Sequence, residues 1–100
     1  MIDVGATFEK YQGLYGEHEG IESGRRLHAR PDLNAFLLLD RLVPGECDMV
    51  CSAEHDEIYL DVDPEALARV ATEEDIADLV RCGVRFHDDS LCMFASGPHG

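Results

Sequence analysis

Charge dominates this chain of 100 residues, since 21 acidic residues against 8 basic ones give a formal net charge of −13. Like charges repel over a Debye length of about 8–10 Å, so we expect the chain neither to bind nucleic acid directly nor to lie on an anionic membrane. Its apolar fraction of 45% argues against a disordered acidic tail, because such tails lack core-forming residues.

The length predicts one domain, because 100 residues are near the common domain size and too few for two cores. Residues 1–24 are poorly defined by their pattern, residues 25–95 are expected to form the core, and residues 96–100 a frayed tail. No apolar run is long enough to cross a bilayer, and the N-terminus lacks the basic region of a signal peptide. The four cysteines then favour reduced thiols in a cytoplasmic protein.

The first half of the chain predicts two helices. Thr7 is a suitable N-cap for a short helix with apolar residues on one face. Pro31 suits the start of a second helix, which runs to Val43 and ends at Pro44-Gly45. The apolar residues of this helix cover roughly 260° of its circumference, so it requires burial on two sides, as a central element or an oligomer interface. The candidate interface residues are Phe36, Leu38, Leu39 and Leu42.

Residues 49–62 predict a β-hairpin with a two-residue turn at His55-Asp56. In this register Ala53 faces Ile58 and Cys51 faces Leu60, so that one face of the hairpin is entirely apolar.

Two short helices and a second hairpin complete the pattern. Asp63-Pro64 begins the first of these helices, and Thr72 begins the second through a capping box closed by Asp75. Gly83 suits its C-terminal end, and the residues on either side of the turn 87–90 alternate as in a hairpin. The order of elements predicts an α+β fold, with an antiparallel sheet of about four strands in two hairpins packed against helices.

The residues capable of metal or acid–base chemistry also have ordinary structural explanations. Cys47 and Cys51 have the spacing of one half of a zinc site, but free cysteines commonly pack as small apolar residues. His55 and His87 stand beside carboxylates, and this pattern leaves open an alternative, a metal-binding or metal-stabilised protein. Turns also collect His and Asp for conformational reasons.

The chain contains no nucleotide-binding, dinucleotide-binding or serine-hydrolase motif. We therefore predict a non-enzymatic protein with no catalytic residue and no cofactor. The only basic cluster, at Arg25, Arg26 and Arg30, is expected to pair within the domain, with carboxylates or with backbone that it caps.

The acidic surface has two interpretations. A net negative charge keeps a small protein dispersed. Alternatively, the carboxylates of residues 54–89 form an acidic face for a protein partner with a basic surface, in the extreme as a mimic of nucleic acid. The residues predicted for this face are Glu54, Asp56, Glu57, Asp61, Asp88 and Asp89.

Residues 54–63 (EHDEIYLDVD), 71–76 (ATEEDI) and 80–85 (VRCGVR) carry a resemblance to short uncharacterised proteins of bacteriophages and prophages, over residues 47–95. That group has no assigned activity, so no functional residue carries over. The resemblance implies an accessory protein of a mobile element that acts on host machinery. We therefore predict an acidic accessory or regulatory module that inhibits a basic or nucleic-acid-binding host protein; a metal-binding protein and a structural homo-oligomer are the alternatives.

Overall fold

A computed structural model describes residues 1–95, which form two layers: a four-stranded antiparallel sheet and helices that cover one of its faces. The predicted α+β fold with two hairpins is confirmed. Two 3₁₀ turns, Gln12–Leu14 and His18–Gly20, follow the first helix. The regular elements are α1 (Val4–Lys10), α2 (Pro31–Leu42), β1 (Val50–Glu54), β2 (Glu57–Leu60), α3 (Pro64–Val70), α4 (Glu73–Arg81), β3 (Arg85–His87) and β4 (Ser90–Phe94).

The strands lie in the order β1-β2-β4-β3, and every neighbouring pair is antiparallel. On the inner face of the sheet, Leu60, Leu91 and Met93 are buried and belong to one apolar core. Phe86 of β3 stacks on Phe8 of α1, with ring centroids 5.8 Å apart. The alternation predicted for the second hairpin is thus confirmed, and its apolar side faces the helices.

The first helix begins earlier than predicted. Asp3 is its N-cap, and the Asp3 carboxylate accepts a hydrogen bond from the Ala6 amide at 3.0 Å. Thr7, the predicted N-cap, instead lies buried inside the helix, where its hydroxyl donates to the Asp3 carbonyl at 2.7 Å. The prediction of Thr7 was wrong because Asp3 and Thr7 are both good caps, and burial of Val4 and Phe8 on the core side of α1 selects the earlier start.

The later helices α3 and α4 begin as predicted, and α4 also ends as predicted. The Asp63 carboxylate caps α3 through the Glu65 amide, and Thr72 and Asp75 form the capping box of α4. Gly83 follows α4 with φ of 96°, in the left-handed region that favours glycine. None of the helices in residues 1–95 has the length and apolar character that crossing a membrane requires.

Helix α2 is buried on one side only, although its apolar residues extend around most of it. Ala35 and Leu39 are fully buried, whereas Leu33 and Leu37 are 38% and 45% exposed. Asn34, which interrupts the apolar pattern in the sequence, is only 1% exposed. Within residues 1–95, α2 is therefore not buried on two sides as a central element, because a polar residue takes part of its core-facing side. The alternative, burial at an oligomer interface, stays a prediction.

Asn34 is buried because every polar group of its side chain has a partner. Its Oδ1 accepts from the amides of Leu27 at 2.7 Å and His28 at 3.0 Å, and its Nδ2 donates to Cys82 Sγ at 3.4 Å. These bonds join the loop before α2 to the end of α4. The internal hydrogen bonds offset the cost of burying an amide.

Two of the three arginines of the basic cluster, Arg25 and Arg26, pair within the domain as predicted, whereas Arg30 is exposed. The Arg25 guanidinium donates to Asp78 at 2.8 Å and to Asp75 at 2.9 Å, and lies 3.4 Å from Glu74, all on α4. Arg26 donates to three backbone carbonyls of residues 18–21. Arginine satisfies several acceptors at once because its donors form a planar fork. The segment before α2 is thereby attached to α4.

Candidate protein-interaction surface

Strand β1 is a free edge of the sheet. It pairs with β2 on one side, it is the terminal strand in the sheet order, and all five of its residues are exposed. Its sequence, Val-Cys-Ser-Ala-Glu, contains no lysine or proline, the residues that commonly protect a strand edge. Among residues 1–95, no strand pairs with the outer side of β1, so the described chain leaves this backbone edge open to another chain.

A β-bulge separates the observed register of the first hairpin from the predicted one. The predicted pair Ala53–Ile58 is confirmed, but Val50 faces Leu60, and the register shifts between Val50 and Ser52. Cys51 is the extra residue and is exposed, so its predicted place on an apolar face opposite Leu60 was wrong. The alternation pattern gives no sign of a bulge, because an extra residue changes the pairing without changing the composition.

The hairpin register fixes which backbone groups of β1 point outward. A two-residue turn is closed by a hydrogen-bonded pair, here Glu54 and Glu57, and such pairs alternate with non-bonded ones along an antiparallel ladder. Ala53 and Ile58 therefore form a non-bonded pair. The N–H and C=O of Ala53 point away from β2, toward the open side of the edge.

Both hairpins turn through two residues in the left-handed region. His55 and Asp56 have φ of 50° and 67°, and Asp88 and Asp89 have φ of 50° and 59°. Two successive positive φ values are typical of type I′ turns, which match the twist of the flanking strands. The predicted two-residue turn at His55-Asp56 is confirmed, without the glycine that such turns favour.

The six predicted acidic residues fall into two groups at opposite ends of the sheet. Because β2 and β4 are antiparallel, with Glu57 opposite Phe94, the turns of the two hairpins lie at opposite ends. Glu54 and Asp56 are at one end, next to Ala95, whose amide donates to the Asp56 carbonyl at 2.6 Å. Asp56 and Asp61, on either side of β2, are five residues apart, about 16 Å at the usual rise per residue, which exceeds the Debye length in physiological salt. At the other end lie Asp61, Asp88 and Asp89.

The sixth residue, Glu57, is neutralised by Arg85 on the outer face of the sheet. The Arg85 guanidinium donates to Glu57 Oε1, and the Tyr59 hydroxyl donates to Glu57 Oε2 at 3.3 Å. Arg85 also lies over the Phe94 ring, 4.7 Å from its centroid. This cross-strand cluster holds the centre of the outer face together, and the sequence does not reveal it because its members come from three separate strands.

Acidic residues nevertheless accompany β1 along its whole length. Residues 42–68 contain eight acidic residues and no lysine or arginine. Glu46 and Asp48 precede β1, Glu54 ends it, and Asp56 lies in the turn; all four are exposed. The edge strand therefore lies between two acidic groups, with no lysine or arginine in its own segment to offset them.

The histidines and cysteines do not come together as metal ligands. His55 lies in the first turn and His87 next to the second, at opposite ends of the sheet, beside Glu54 at 3.8 Å and Asp88 at 3.2 Å respectively. Over residues 1–95, no group of three or more His, Cys, Asp or Glu side chains has the arrangement of a metal site. Cys82 is buried and its pKa is raised to about 11 by burial. A thiol with so high a pKa is a poor metal ligand or nucleophile at neutral pH.

The candidate oligomer residues of α2 are largely inside the domain. Leu39 is fully buried, and Phe36, Leu38 and Leu42 are half-buried against the core. The leucines that α2 exposes are Leu33 and Leu37.

A groove of about 570 Å³ lies between α1 and β3. Its walls include the rings of Phe8, Tyr15, Phe86 and Phe94 together with Arg85. The Tyr15 hydroxyl is buried and has no hydrogen-bond partner among the described residues, and burial raises its pKa. The groove therefore combines aromatic walls with one unpaired hydroxyl, a feature that the poorly patterned first 24 residues did not indicate.

Comparison with known proteins gives no match to a family model, to a curated protein or to a solved structure. The inference of function therefore depends on the surface features of the molecule itself.

Proposed function

We propose that this protein is a small, acidic, non-enzymatic module that binds a protein partner with a basic surface through its first hairpin. The observation that carries the proposal is the fully exposed edge strand β1 within a stretch that has no lysine or arginine. An open edge without lysine or proline favours association with another chain. The surrounding carboxylates favour a partner chain with a basic surface, because opposite charges attract.

The charge also determines how the partner is captured. A net charge of −13 attracts a basic surface from beyond contact distance, so association is expected to be fast at low salt and to slow as salt is added. Glu54 and Asp56 contribute direct contacts in this proposal, together with Glu46 and Asp48. The acids at the other end of the sheet contribute to the long-range field.

The proposed role is accessory or regulatory. A protein that binds nucleic acid carries the kind of basic surface that these carboxylates fit, and occupation of that surface would inhibit it. The four cysteines, free in the structure, fit a reducing compartment such as the cytoplasm.

The proposal is tested by charge reversal around β1. Partners are recovered from host lysate at low salt, identified by mass spectrometry and purified, and their affinity for three forms of the protein is measured. The first form is wild type, the second is Glu46→Lys/Asp48→Lys/Glu54→Lys, and the third is the control Glu17→Lys/Glu19→Lys/Glu22→Lys. Both variants reverse three exposed carboxylates, so they have the same net charge.

We expect the first variant to lose the partner and the control to weaken it only slightly. Equal loss in both variants would mean that total charge, and not the hairpin, determines binding. Recovery of no basic protein from the lysate would contradict the proposal altogether. Urea unfolding of each variant verifies that the fold is retained.

A further inference from the structure

We infer that β1 binds its partner by strand addition, in which an extended basic segment pairs with the outer edge of β1 around Ala53. The inference rests on the proposed function and specifies its mode of contact. Strand addition derives its affinity from main-chain hydrogen bonds and its specificity from alternate side chains of the added strand.

The backbone geometry supports this mode. Ser52 and Glu54 use their main-chain groups in the ladder with β2, whereas those of Ala53 point to the open side. The bulge at Cys51, whose thiol lies 3.4 Å from the Tyr59 carbonyl, interrupts the regular edge at its other end. Bulges increase the local twist and terminate pairing. The main-chain pairing is therefore short and confined to the neighbourhood of Ala53, whereas the flanking parts of the added segment lie along β1 without regular pairing.

The carboxylates define the composition of the added strand. Asp48 and Glu54 are six residues apart, a separation of at most roughly 20 Å for an extended chain. An extended segment that lies along β1 passes both carboxylates. Lysine or arginine near each end of that segment would meet one of them, while the residues between pair with the backbone of Ala53.

A second copy of this chain is disfavoured as the occupant of the edge. Each copy carries a net charge of −13, and pairing of two β1 strands would place two segments without lysine or arginine next to each other. Like charges in this position oppose association at low salt. A basic peptide has the opposite dependence, since its attraction is strongest at low salt.

The probe is a short, labelled peptide of alternating lysine and valine, and fluorescence anisotropy at low salt measures its affinity. A second peptide has the same sequence but carries N-methyl groups on alternate backbone nitrogens of its pairing edge, so that it keeps its charge and loses its donors. The test variant is Ala53→Pro, which removes the outward donor of Ala53 and leaves the ladder donors of Ser52 and Glu54 in place. The matched control is Ala53→Val, which keeps the donor and favours a strand.

We expect the unmodified peptide to bind wild type and Ala53→Val with similar affinity. Ala53→Pro and the N-methylated peptide should each reduce the affinity at least roughly tenfold, which corresponds to about 1.4 kcal/mol. Urea unfolding and amide NMR spectra verify that Ala53→Pro retains the fold. If Ala53→Pro does not fold, the N-methylated peptide with wild type still decides the question.

Three results would overturn the inference. If both peptides bind equally and the triple charge reversal abolishes binding, the contact is electrostatic; strand addition is then wrong and the proposed function stands. If neither peptide binds up to about 1 mM, a very weak affinity on the usual scale, strand addition is again wrong, and the lysate experiment judges the proposed function independently. If light scattering shows a dimer that Ala53→Pro dissociates, a second copy occupies the edge.

Discussion

Individual residues in this protein are placed by the partners that they find across the fold, as Asn34 and Cys82 show. Both are almost completely buried, and the amide of one donates to the sulfur of the other. The apolar character of free cysteine is consistent with burial of Cys82, whereas Asn34 interrupts the apolar pattern of α2 and gives no sign of burial in the sequence. The difference arises because the partners of Asn34 are backbone amides of a loop, which no helical periodicity can indicate.

The burial of Cys82 makes stability depend on alkaline pH. Its folded pKa is about 11 against an ordinary 9.0, so between these values the unfolded chain loses the thiol proton while the folded chain keeps it. Ionisation then stabilises the unfolded state, and the free energy of unfolding falls as pH rises from 9 to 11. The loss attributable to this thiol reaches about 2–3 kcal/mol.

Urea unfolding of reduced protein at pH 8, 9, 10 and 11 measures this loss. We expect Cys82→Ala to have lower stability at pH 8 but a shallower decline, and the control Cys47→Ala, at an exposed thiol, to decline like wild type. The tyrosines titrate alike in all three proteins, so the difference between the curves isolates Cys82. Parallel curves for wild type and Cys82→Ala would contradict the expectation.

The elements of this fold were predictable where local chemistry determines them. The caps of α3 and α4 and the turn at His55-Asp56 depend on residues adjacent in sequence, and all three were confirmed. The bulge in β1 and the burial of α2 on one side only were not predictable from the sequence. Both depend on how these elements pair and pack with the rest of the fold. The helices lie over the inner face of the sheet, while β1 stays exposed on both faces.

The first hairpin is expected to gain stability from Asp56→Gly. Asp56 has φ of 67°, a conformation that costs an L-residue free energy and costs glycine almost none. We expect the substitution to raise the free energy of unfolding by about 0.5–1 kcal/mol in urea. Asp56→Ala is the matched control, since it also removes the carboxylate but keeps a Cβ. An equal gain in both variants would assign the effect to lost charge repulsion instead of backbone conformation.

At the scale of the whole molecule, the N-terminal quarter is joined to the rest by charged side chains as well as by apolar packing. Ile21 is buried, Lys10 lies 2.7 Å from Glu73, and Arg25 contacts three carboxylates of α4. The sequence predicted internal pairing of the arginines but could not place the acidic residues. Their division between two ends of the sheet follows from the antiparallel pairing of β2 with β4, a contact between hairpins that no local pattern specifies.

Arg25→Ala is expected to loosen this attachment. The variant leaves Asp78 and Asp75, whose side chains are 11% and 15% exposed, without their cation and close to Glu74. We expect a loss of about 1–3 kcal/mol in the free energy of unfolding, less than for a fully buried pair because the Arg25 side chain is 33% exposed.

Arg25→Lys keeps the charge and loses the forked geometry, so its stability should lie between those of wild type and Arg25→Ala. The exposed Arg41 supplies the control, and Arg41→Ala should change urea stability by less than about 0.5 kcal/mol. A loss for Arg25→Ala no larger than that of the control would show that the arginine contributes charge balance alone.

The stretch without lysine or arginine, residues 42–68, also determines how proteases divide the molecule. Trypsin cuts after lysine and arginine, so it releases β1, β2 and all of α3 except Val70 in the single peptide 42–69. A basic strand bound to β1 contains trypsin sites of its own. Trypsin cuts those sites unless contact with β1 protects them. Tryptic digestion of a complex therefore trims the partner to its shielded segment, while a glutamate-directed protease would cut the hairpin itself at Glu54 and Glu57.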